Sequence, residues 1–221
     1  MFTVLHTTSR LVLLGGLVLS IGACKTFGAR EGGAVIGATA GGVVGGVVGN
    51  QTGSTARGAL IGAIVGGTAG AIIGHQMDQQ AKELQLQIPG ATVERVGEGI
   101  QVTFASGLLY DFDSDVIRDA AGENLRNLAT SLDKFPNTVL LVVGHTDALG
   151  STAYNQDLSS RRAAAASRYL GAHGVTSPRL RTSGRGELEP ISTNETEYGR
   201  SLNRRIEVAI FANEAARGGA R

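Results

Sequence analysis

The sequence predicts an α+β fold in which a βαβαβ sandwich domain is preceded by a glycine-zipper helical hairpin. Alternation of apolar and polar residues in 92–96 and 100–104, joined through Gly97-Glu98-Gly99, indicates a strand hairpin. Farther along, two segments with helical periodicity flank a nearly continuous apolar run at 138–143, which is typical of a central strand. Before residue 75, glycine recurs at every fourth position, which predicts helices with a flat glycine stripe.

The remaining elements of the domain follow from periodicity and from residues that end helices. A third short segment at 108–113 leads to a helix predicted from about residue 118 to 135, where Pro136-Asn137 ends it. A second helix is predicted over about residues 152–173, with Gly174 as its C-terminal cap. Strands predicted at 180–184 and 205–211 complete the sandwich.

The composition bounds the class of protein. The chain has 221 residues, enough for one domain of ordinary size plus appendages. Lys and Arg number 20 against 19 acidic residues, and residues 1–23 contain Arg10 and no acid, so the chain from residue 24 is balanced (20 − 1 = 19). A neutral chain does not predict a nucleic-acid partner. Cys24 is the single cysteine, which excludes an internal disulfide.

The N-terminus has the features of a lipoprotein signal peptide, predicted over residues 1–23. Arg10 precedes an uncharged apolar run of about 13 residues, which is too short to span a bilayer. The run ends in Ile21-Gly22-Ala23-Cys24, which resembles a bacterial lipobox. The resemblance implies that Cys24 is acylated and begins a lipidated linker at 24–32, and Lys25 favours transport to the outer membrane. A signal peptide with an unmodified cysteine is the alternative.

Two runs of glycine, at 33–49 and 58–74, define the predicted hairpin. In each run five glycines are spaced by four, and the second run repeats the first after 25 residues. This spacing lets a second backbone approach closely, so we predict that the two glycine faces meet across a polar turn at 50–57. Neither run contains a charged residue, so membrane lipids and a second copy of the chain are both candidate partners of residues 33–74. Insertion into the bilayer and a hairpin that folds or oligomerises at its surface both remain open.

The chain after the hairpin is predicted to contain three further parts. Residues 75–90 are polar and are predicted to form a helix and linker, a stalk that leads into the globular domain. The domain itself is placed at 91–212, and residues 213–221 are predicted to form a flexible tail.

Helical geometry distinguishes two adjacent arginines in the second predicted helix of the domain. Counting about 100° per residue around the helix from Leu158, Arg162 lies at about 40°, inside the apolar arc. Arg161 lies at about 300°, on the solvent side. A guanidinium on the core side must meet an anion or many acceptors, because leaving it unpaired is costly. From this geometry alone, the partner of Arg162 is either a carboxylate of the protein or a carboxylate of a ligand.

Three ordered motifs in the last third of the chain resemble the OmpA-like C-terminal domain family. They are GHTD at 144–147, NxxLSxxRA at 155–163 and NRRxEV at 203–208. Three motifs in the right order are far more specific than one short pattern. The resemblance covers about residues 100–212 and implies a domain that binds peptidoglycan non-covalently through diaminopimelate, a diamino diacid of the stem peptides.

The resemblance also implies which residues bind. Asp147 is expected to meet an ammonium group of the ligand and Arg162 a carboxylate, which suits a zwitterionic ligand because Arg offers a bidentate fork. Leu158 is expected to contribute a main-chain contact, Phe112-Asp113 to close the pocket wall, and Asn155 to order the loop. Mainly structural roles are expected for Asn203, Arg204 and Arg205, with contact to the ligand as the alternative. The complete predicted set of peptidoglycan-binding residues is Asp147, Arg162, Leu158, Phe112, Asp113 and Asn155.

Other classes of protein are less consistent with the sequence. His145-Thr146-Asp147 places a histidine beside an acid but names no activated nucleophile, and no histidine pair has zinc spacing, so we expect no enzymatic activity, cofactor or metal. An ion-driven stator would need an acid within its membrane segment, and residues 33–74 contain no Asp or Glu.

The sequence therefore predicts a lipid-anchored protein of the cell outer membrane, with its globular domain in the periplasm, that tethers the membrane to peptidoglycan. The combination of a glycine zipper with this domain resembles YiaD-type outer-membrane lipoproteins. The alternative is a glycine-zipper membrane-active or pore-forming assembly, for which the globular domain is only a tether to the wall.

Overall fold

In a computed structural model of the protein, residues 54–65 and 71–213 are described. Several predicted features lie outside these residues: the signal peptide at 1–23, Cys24 with the linker 24–32, the first glycine run at 33–49, and residues 214–221 of the tail.

A five-stranded sheet forms the centre of the domain. Its strands are β1 (Ala91–Val96), β2 (Gly99–Ala105), β3 (Thr138–Gly144), β4 (Leu180–Gly184) and β5 (Arg205–Ala212). Their spatial order is β1-β2-β5-β3-β4. The predicted hairpin pairs β1 with β2, and the last strand, β5, lies between β2 and β3 and is antiparallel to both. β3 and β4 pair in parallel.

Among the described residues, four of the six α-helices connect these strands, and the longest has a capping residue at each end. The longest begins after Ser151, whose Oγ accepts a hydrogen bond of 3.2 Å from the amide of Tyr154. It is followed by Gly174 at φ 101°, the predicted cap. The helices among the described residues are α1 (Thr55–Val65), α2 (Ala71–Gln87), α3 (Ser106–Leu109), α4 (Gly122–Lys134), α5 (Thr152–Ala172) and α6 (Glu197–Asn203).

Two apolar clusters lie on opposite faces of the sheet. Leu140 and Val142 of β3 belong to the larger cluster, whereas Leu141 and Val143 belong to the smaller one. Because side chains alternate along a strand, the clusters must lie on opposite faces. The larger cluster is the main core and is filled by α2, α4 and α5.

The predicted stalk at 75–90 is wrong, because α2 is part of the globular domain. This helix begins at Ala71, so the predicted boundary at 74/75 falls inside it. Met77, Leu84 and Ile88 are at most 2% exposed and belong to the main core. Its end is also fixed, since the side chain of Asn127 donates a 2.8 Å hydrogen bond to the carbonyl of Gln87. The polar residues mark only the outer face of this helix.

The second glycine run begins with α1, which packs on the outer face of the sheet. Ala56 and Leu60 are buried there, in the smaller cluster. Residues 55–57, predicted to lie in the polar turn, instead form the first turn of α1. The predicted contact between two glycine faces stays a prediction, because its other half lies outside the described residues. Within 54–65 and 71–213, no helix is both long enough and apolar enough to cross a membrane.

Two segments outside the predicted helices and strands, 108–113 and 197–203, contain short structural elements. The segment at 108–113 contains the end of α3 and an isolated bridge between Tyr110 and Ile117. α6 is a short helix that the sequence analysis did not predict, and it leads directly into the NRR motif. Both segments border the candidate site.

Candidate functional site

Asp147 is held just beyond the end of β3 by continued backbone pairing. The amide of His145 donates to the carbonyl of Arg205 at 2.9 Å, and the amide of Thr146 donates to the carbonyl of Gly186 at 2.9 Å. These two hydrogen bonds extend the sheet to both sides and leave Asp147 as the first residue to depart from it. Asp147 is 6% exposed.

The carboxylate of Asp147 has two partners. One oxygen accepts a hydrogen bond of 3.0 Å from the amide of Leu149, which fixes the loop. The other accepts from Nη1 of Arg204 at 2.6 Å, and Nη2 of the same guanidinium lies 2.6 Å from Glu197. Arg204 therefore bridges two carboxylates at the edge of the site. The sequence predicted a mainly structural role for Arg204 and left ligand contact open, so this position is a finding of the structure.

A close approach of α5 to β3 brings Arg162 to the same end of the sheet. A side chain added at Gly144 would place its Cβ 2.2 Å from the carbonyl oxygen of Ser159, so only glycine allows this contact. Arg162 lies three residues after Ser159 on the inner side of the helix and is 5% exposed. Arg161 points away, its side chain is 42% exposed, and it pairs with Asp157. The helical angles predicted from the sequence are confirmed.

The guanidinium of Arg162 is held by main-chain and aromatic groups. Its Nε donates to the carbonyl of Ser114 at 2.8 Å, and its Nη2 lies 3.5 Å from the carbonyl of Asp111. Its central carbon lies 5.3 Å from the ring centre of Tyr110, a cation–π distance. The Tyr110 hydroxyl in turn donates to the carbonyl of Arg162 at 2.6 Å.

No carboxylate neutralises Arg162 at close range. Among the described residues, none lies within 4.0 Å of its guanidinium nitrogens. Burial lowers the pKa of Arg162, while Tyr110, Asp113 and Asp115 oppose that shift from a greater distance. Arg204 also lowers this pKa, because the two cations repel each other. The site thus presents a buried cation that is held by neutral acceptors.

The other predicted residues have varied positions around this cation. Asn155 is buried and donates a 2.5 Å hydrogen bond to Glu187, which agrees with its expected role in ordering the loop. Asp113 has a left-handed backbone conformation with φ 57°, and its negative charge raises the pKa of Arg162. Phe112 is 99% exposed, so the expectation that it closes a pocket wall is wrong for this structure. Its ring contacts too little protein to form a wall.

The expected main-chain contact from Leu158 also needs correction. Leu158 is the seventh residue of α5 and is 6% exposed. Only the first four amides of a helix lack a partner within the helix. The amide of Leu158 is therefore used within α5, so this amide is not available for the expected contact.

Tyr110 and Arg204 are the site residues that sequence reasoning missed. Arg204 stands in the NRR motif, which was the available signal. Tyr110 lies outside the regular elements, at an isolated bridge, where periodicity carries no information. Within the described parts of the chain, no group of three or more His, Cys, Asp and Glu side chains could hold a metal ion.

Comparison with known proteins agrees with the family predicted from the sequence motifs. Residues 109–204 match the OmpA family, and residues 5–78 match the YMGG-like Gly-zipper family. The chain is 33% identical over 129 residues to the peptidoglycan-associated lipoprotein of Agrobacterium fabrum, covering 58% of this chain and 73% of that protein. It is also 33% identical over 136 residues to the protein of Escherichia coli named "Probable lipoprotein YiaD", covering 61% of this chain and 62% of that one.

A solved structure extends the agreement to the fold. The cell wall anchor of the type VI secretion system (T6SS) from Pseudomonas aeruginosa superposes with a TM-score of 0.53 at 30% identity, covering 62% of this chain and 97% of that one. The chain spans between 30% and 62% of the length of four of the curated relatives, among them YiaD and the outer membrane porin F of Pseudomonas fluorescens.

The chain belongs to the OmpA family, and its OmpA domain follows a YMGG-like glycine zipper. The outer-membrane location predicted from the sequence is confirmed by the outer membrane proteins and lipoproteins among these relatives.

Proposed function

We propose that this protein binds peptidoglycan non-covalently through diaminopimelate and tethers the outer membrane to the cell wall through acyl chains on Cys24. The role is binding rather than catalysis. The observation that carries the proposal is Arg162, a 5% exposed arginine at a site edge with no carboxylate within 4.0 Å among the described residues. A peptidoglycan-associated lipoprotein and a cell wall anchor among the similar proteins support the ligand class.

The charge of Arg162 explains why a carboxylate ligand would bind there. Its Nε is already occupied by the carbonyl of Ser114, which orients the planar group. The remaining nitrogens can donate to both oxygens of a carboxylate, the bidentate arrangement that suits arginine. A buried cation gains more from an anion than an exposed one does, because water screens it less.

The carboxylate of Asp147 provides the complementary half of the site. It is nearly buried and shares Arg204 with Glu197. An ammonium group of diaminopimelate would bind the carboxylate of Asp147 either beside Arg204 or in its place. The guanidinium of Arg204 would in both cases keep its contact with Glu197. An acid and an unneutralised arginine at one end of the sheet match the charges of a diamino diacid.

The experiment that tests this proposal is co-sedimentation of the full chain, in detergent, with insoluble peptidoglycan. We expect binding to diaminopimelate-type wall and weaker binding to lysine-type wall, because lysine lacks the second carboxylate that Arg162 would bind. Arg162→Ala and Asp147→Ala should each weaken binding by about 1.5–3 kcal/mol, the range for hydrogen bonds to charged groups.

Arg161→Ala is the matched control, since the adjacent side chain is on the solvent side and pairs with Asp157. Each variant must retain the melting temperature of the wild type, so that a lost contact is separated from lost structure. A folded Arg162→Ala variant that sediments as well as the wild type would make Arg162 a structural residue and overturn the proposal.

A further inference from the structure

The outer face of the sheet holds a segment of the glycine zipper. Ala56 and Leu60 of α1 are 0% and 1% exposed and pack in a cluster with Leu141, Val143 and Ala209. A Cβ added at Gly99 would lie 2.4 Å from Cδ2 of Leu60, so β2 leaves space at this position for the leucine. The face therefore has a shape that fits α1.

Two residues at the start of α1, Ser54 and Thr55, are bound by two glutamates, Glu189 and Glu207. We call these four residues the clasp. The hydroxyl of Ser54 donates to Glu207 at 2.6 Å. Thr55 donates to Glu189 twice, from its amide at 2.9 Å and from its hydroxyl at 2.5 Å. Hydrogen bonds to ionised acceptors are about twice as strong as neutral ones.

The glutamates of the clasp are positioned by arginines of the domain. Nε of Arg205 donates to Glu207 at 2.8 Å. Nε of Arg185 lies 3.3 Å from Glu189 and donates to the hydroxyl of Thr55 at 2.7 Å. These arginines belong to the domain, so their charges face the glutamates whether or not α1 is bound.

The sequence of α1 is a weak helix by itself. It has 11 residues and contains Gly58 and Gly62, each of which disfavours a helix by about 1 kcal/mol relative to alanine. Helices this short are marginal in water. The smaller cluster that holds α1 has five buried apolar residues, far fewer than the main core. The helical state of α1 therefore depends on its contact with the sheet.

The clasp also distinguishes the two glycine runs. The positions 25 residues before Ser54 and Thr55 are Ala29 and Arg30. Ala29 has no hydroxyl to donate, and Glu31, the counterpart of the buried Ala56, would place a carboxylate in the smaller apolar cluster. The same face would reject the first run.

We propose that the outer face of the sheet is a receptor for the segment 54–65 of the same chain, and that this segment docks reversibly with the clasp as its recognition element. Gly58 and Gly62 are buried in the docked state, so the glycine stripe is not then available to lipid or to the first run. Docking and membrane contact of this segment exclude each other.

Docking would also limit the distance between the lipid anchor at Cys24 and the globular domain. This consequence rests on the proposed lipidation of Cys24. With α1 docked, the domain holds the chain from Ser54, 30 residues after Cys24 (54 − 24), or at most about 100 Å of extended chain. With α1 released, the domain begins at Ala71, 47 residues after Cys24 (71 − 24), and the limit rises to about 160 Å.

Hydrogen–deuterium exchange of the full chain in detergent tests the proposal without peptidoglycan, so its outcome is independent of the proposed binding. In the wild type we expect amides of 55–62 to exchange faster than those of β5, because α1 opens by itself. Ser54→Asp keeps a good N-cap residue but places an acid against Glu207. It should raise exchange in 55–62 at least tenfold and leave β5 unchanged. Leu60→Ala should act in the same direction.

Ser177→Asp is the matched control, because it adds the same charge at an exposed position outside α1 and the clasp. It should leave exchange in 55–62 as it is in the wild type. Three results would each overturn the proposal. The first is an exchange rate of 55–62 equal to that of β5 in the wild type, with both rates rising together in the variants. The second is an exchange rate of 55–62 that does not change in Ser54→Asp. The third is protection of 55–62 that is lost on dilution, since the face would then belong to a second copy.

Discussion

Arg162 and Asp147 lie at the same end of the sheet but in different electrostatic situations. Asp147 has a cation at 2.6 Å, whereas Arg162 has carbonyls and an aromatic ring. Burying a cation without an anion costs stability in the unbound domain. A carboxylate ligand would recover that cost on binding, so the same residue that weakens the free domain favours the complex.

His145 illustrates a second buried titratable group, on the outer side of the site. It is 1% exposed, and its ring nitrogens lie 3.9 Å from Glu189 and 3.7 Å from Glu207, with Arg205 nearby. Burial lowers its pKa from 6.5, opposed by the two glutamates. Burial would raise the pKa of Glu207, but His145, Arg205 and the Ser54 hydroxyl together lower it to about 2.

These directions predict a pH dependence of stability. Because the pKa of His145 is lower in the folded state, the unfolded chain binds more protons below pH 6.5. The free energy of unfolding should therefore fall as the pH decreases from 7 to 5, by up to about 1.4 kcal/mol per pH unit. The contribution of Glu207 is lost only between pH 4.5 and about 2.

Urea unfolding of wild type and His145→Gln at several pH values between 7 and 5 separates this effect from other groups. The slope of the unfolding free energy against pH should be smaller in the variant, whatever its absolute stability. Equal slopes would show that His145 is not the group responsible.

At the scale of elements, α2 and α1 show how composition misleads about packing. Both were predicted to precede the globular domain, and both are attached to it, one on each face of the sheet. α2 is polar on average because only one side of it is buried. A helix needs only one apolar stripe in order to join a core.

A pair of leucines in α2 tests this correction. Leu84 is 0% exposed and Leu86 is 86% exposed, two residues apart on the same helix. Leu84→Ala should lower the free energy of unfolding by about 2–5 kcal/mol, the range for removing a buried leucine side chain. Leu86→Ala should change it by no more than about 0.5 kcal/mol. Equal small effects in urea unfolding would restore the interpretation of 75–90 as a stalk.

For the whole molecule, the proposed function requires two independent attachments. The candidate wall site is built by residues from Tyr110 to Arg204, whereas the proposed lipid anchor is Cys24. The two attachments have no residue in common, so each should be removable without the other.

Cys24→Ser tests this independence. The variant should lose labelled palmitate and accumulate as an unprocessed or mislocalised precursor, because the sulfur that would carry the acyl chain is missing. Its globular domain should still sediment with peptidoglycan as the wild type does. Arg162→Ala should show the opposite pattern, with normal lipid incorporation and weak sedimentation. Undiminished palmitate labelling in Cys24→Ser would exclude Cys24 as the lipidated residue.

The sequence by itself determined the α+β class, all five strands to within two residues, and the burial of Arg162 against the exposure of Arg161. These follow from local periodicity, which each segment carries alone. The tertiary structure decided what no segment carries alone: that α2 completes the core, that α1 packs on the opposite face, and that Arg204 reaches Asp147 across 57 positions of sequence. It also decided that Phe112 is exposed and that Tyr110 lies against Arg162. Contacts between distant segments depend on how the chain returns to the same place, which local patterns do not specify.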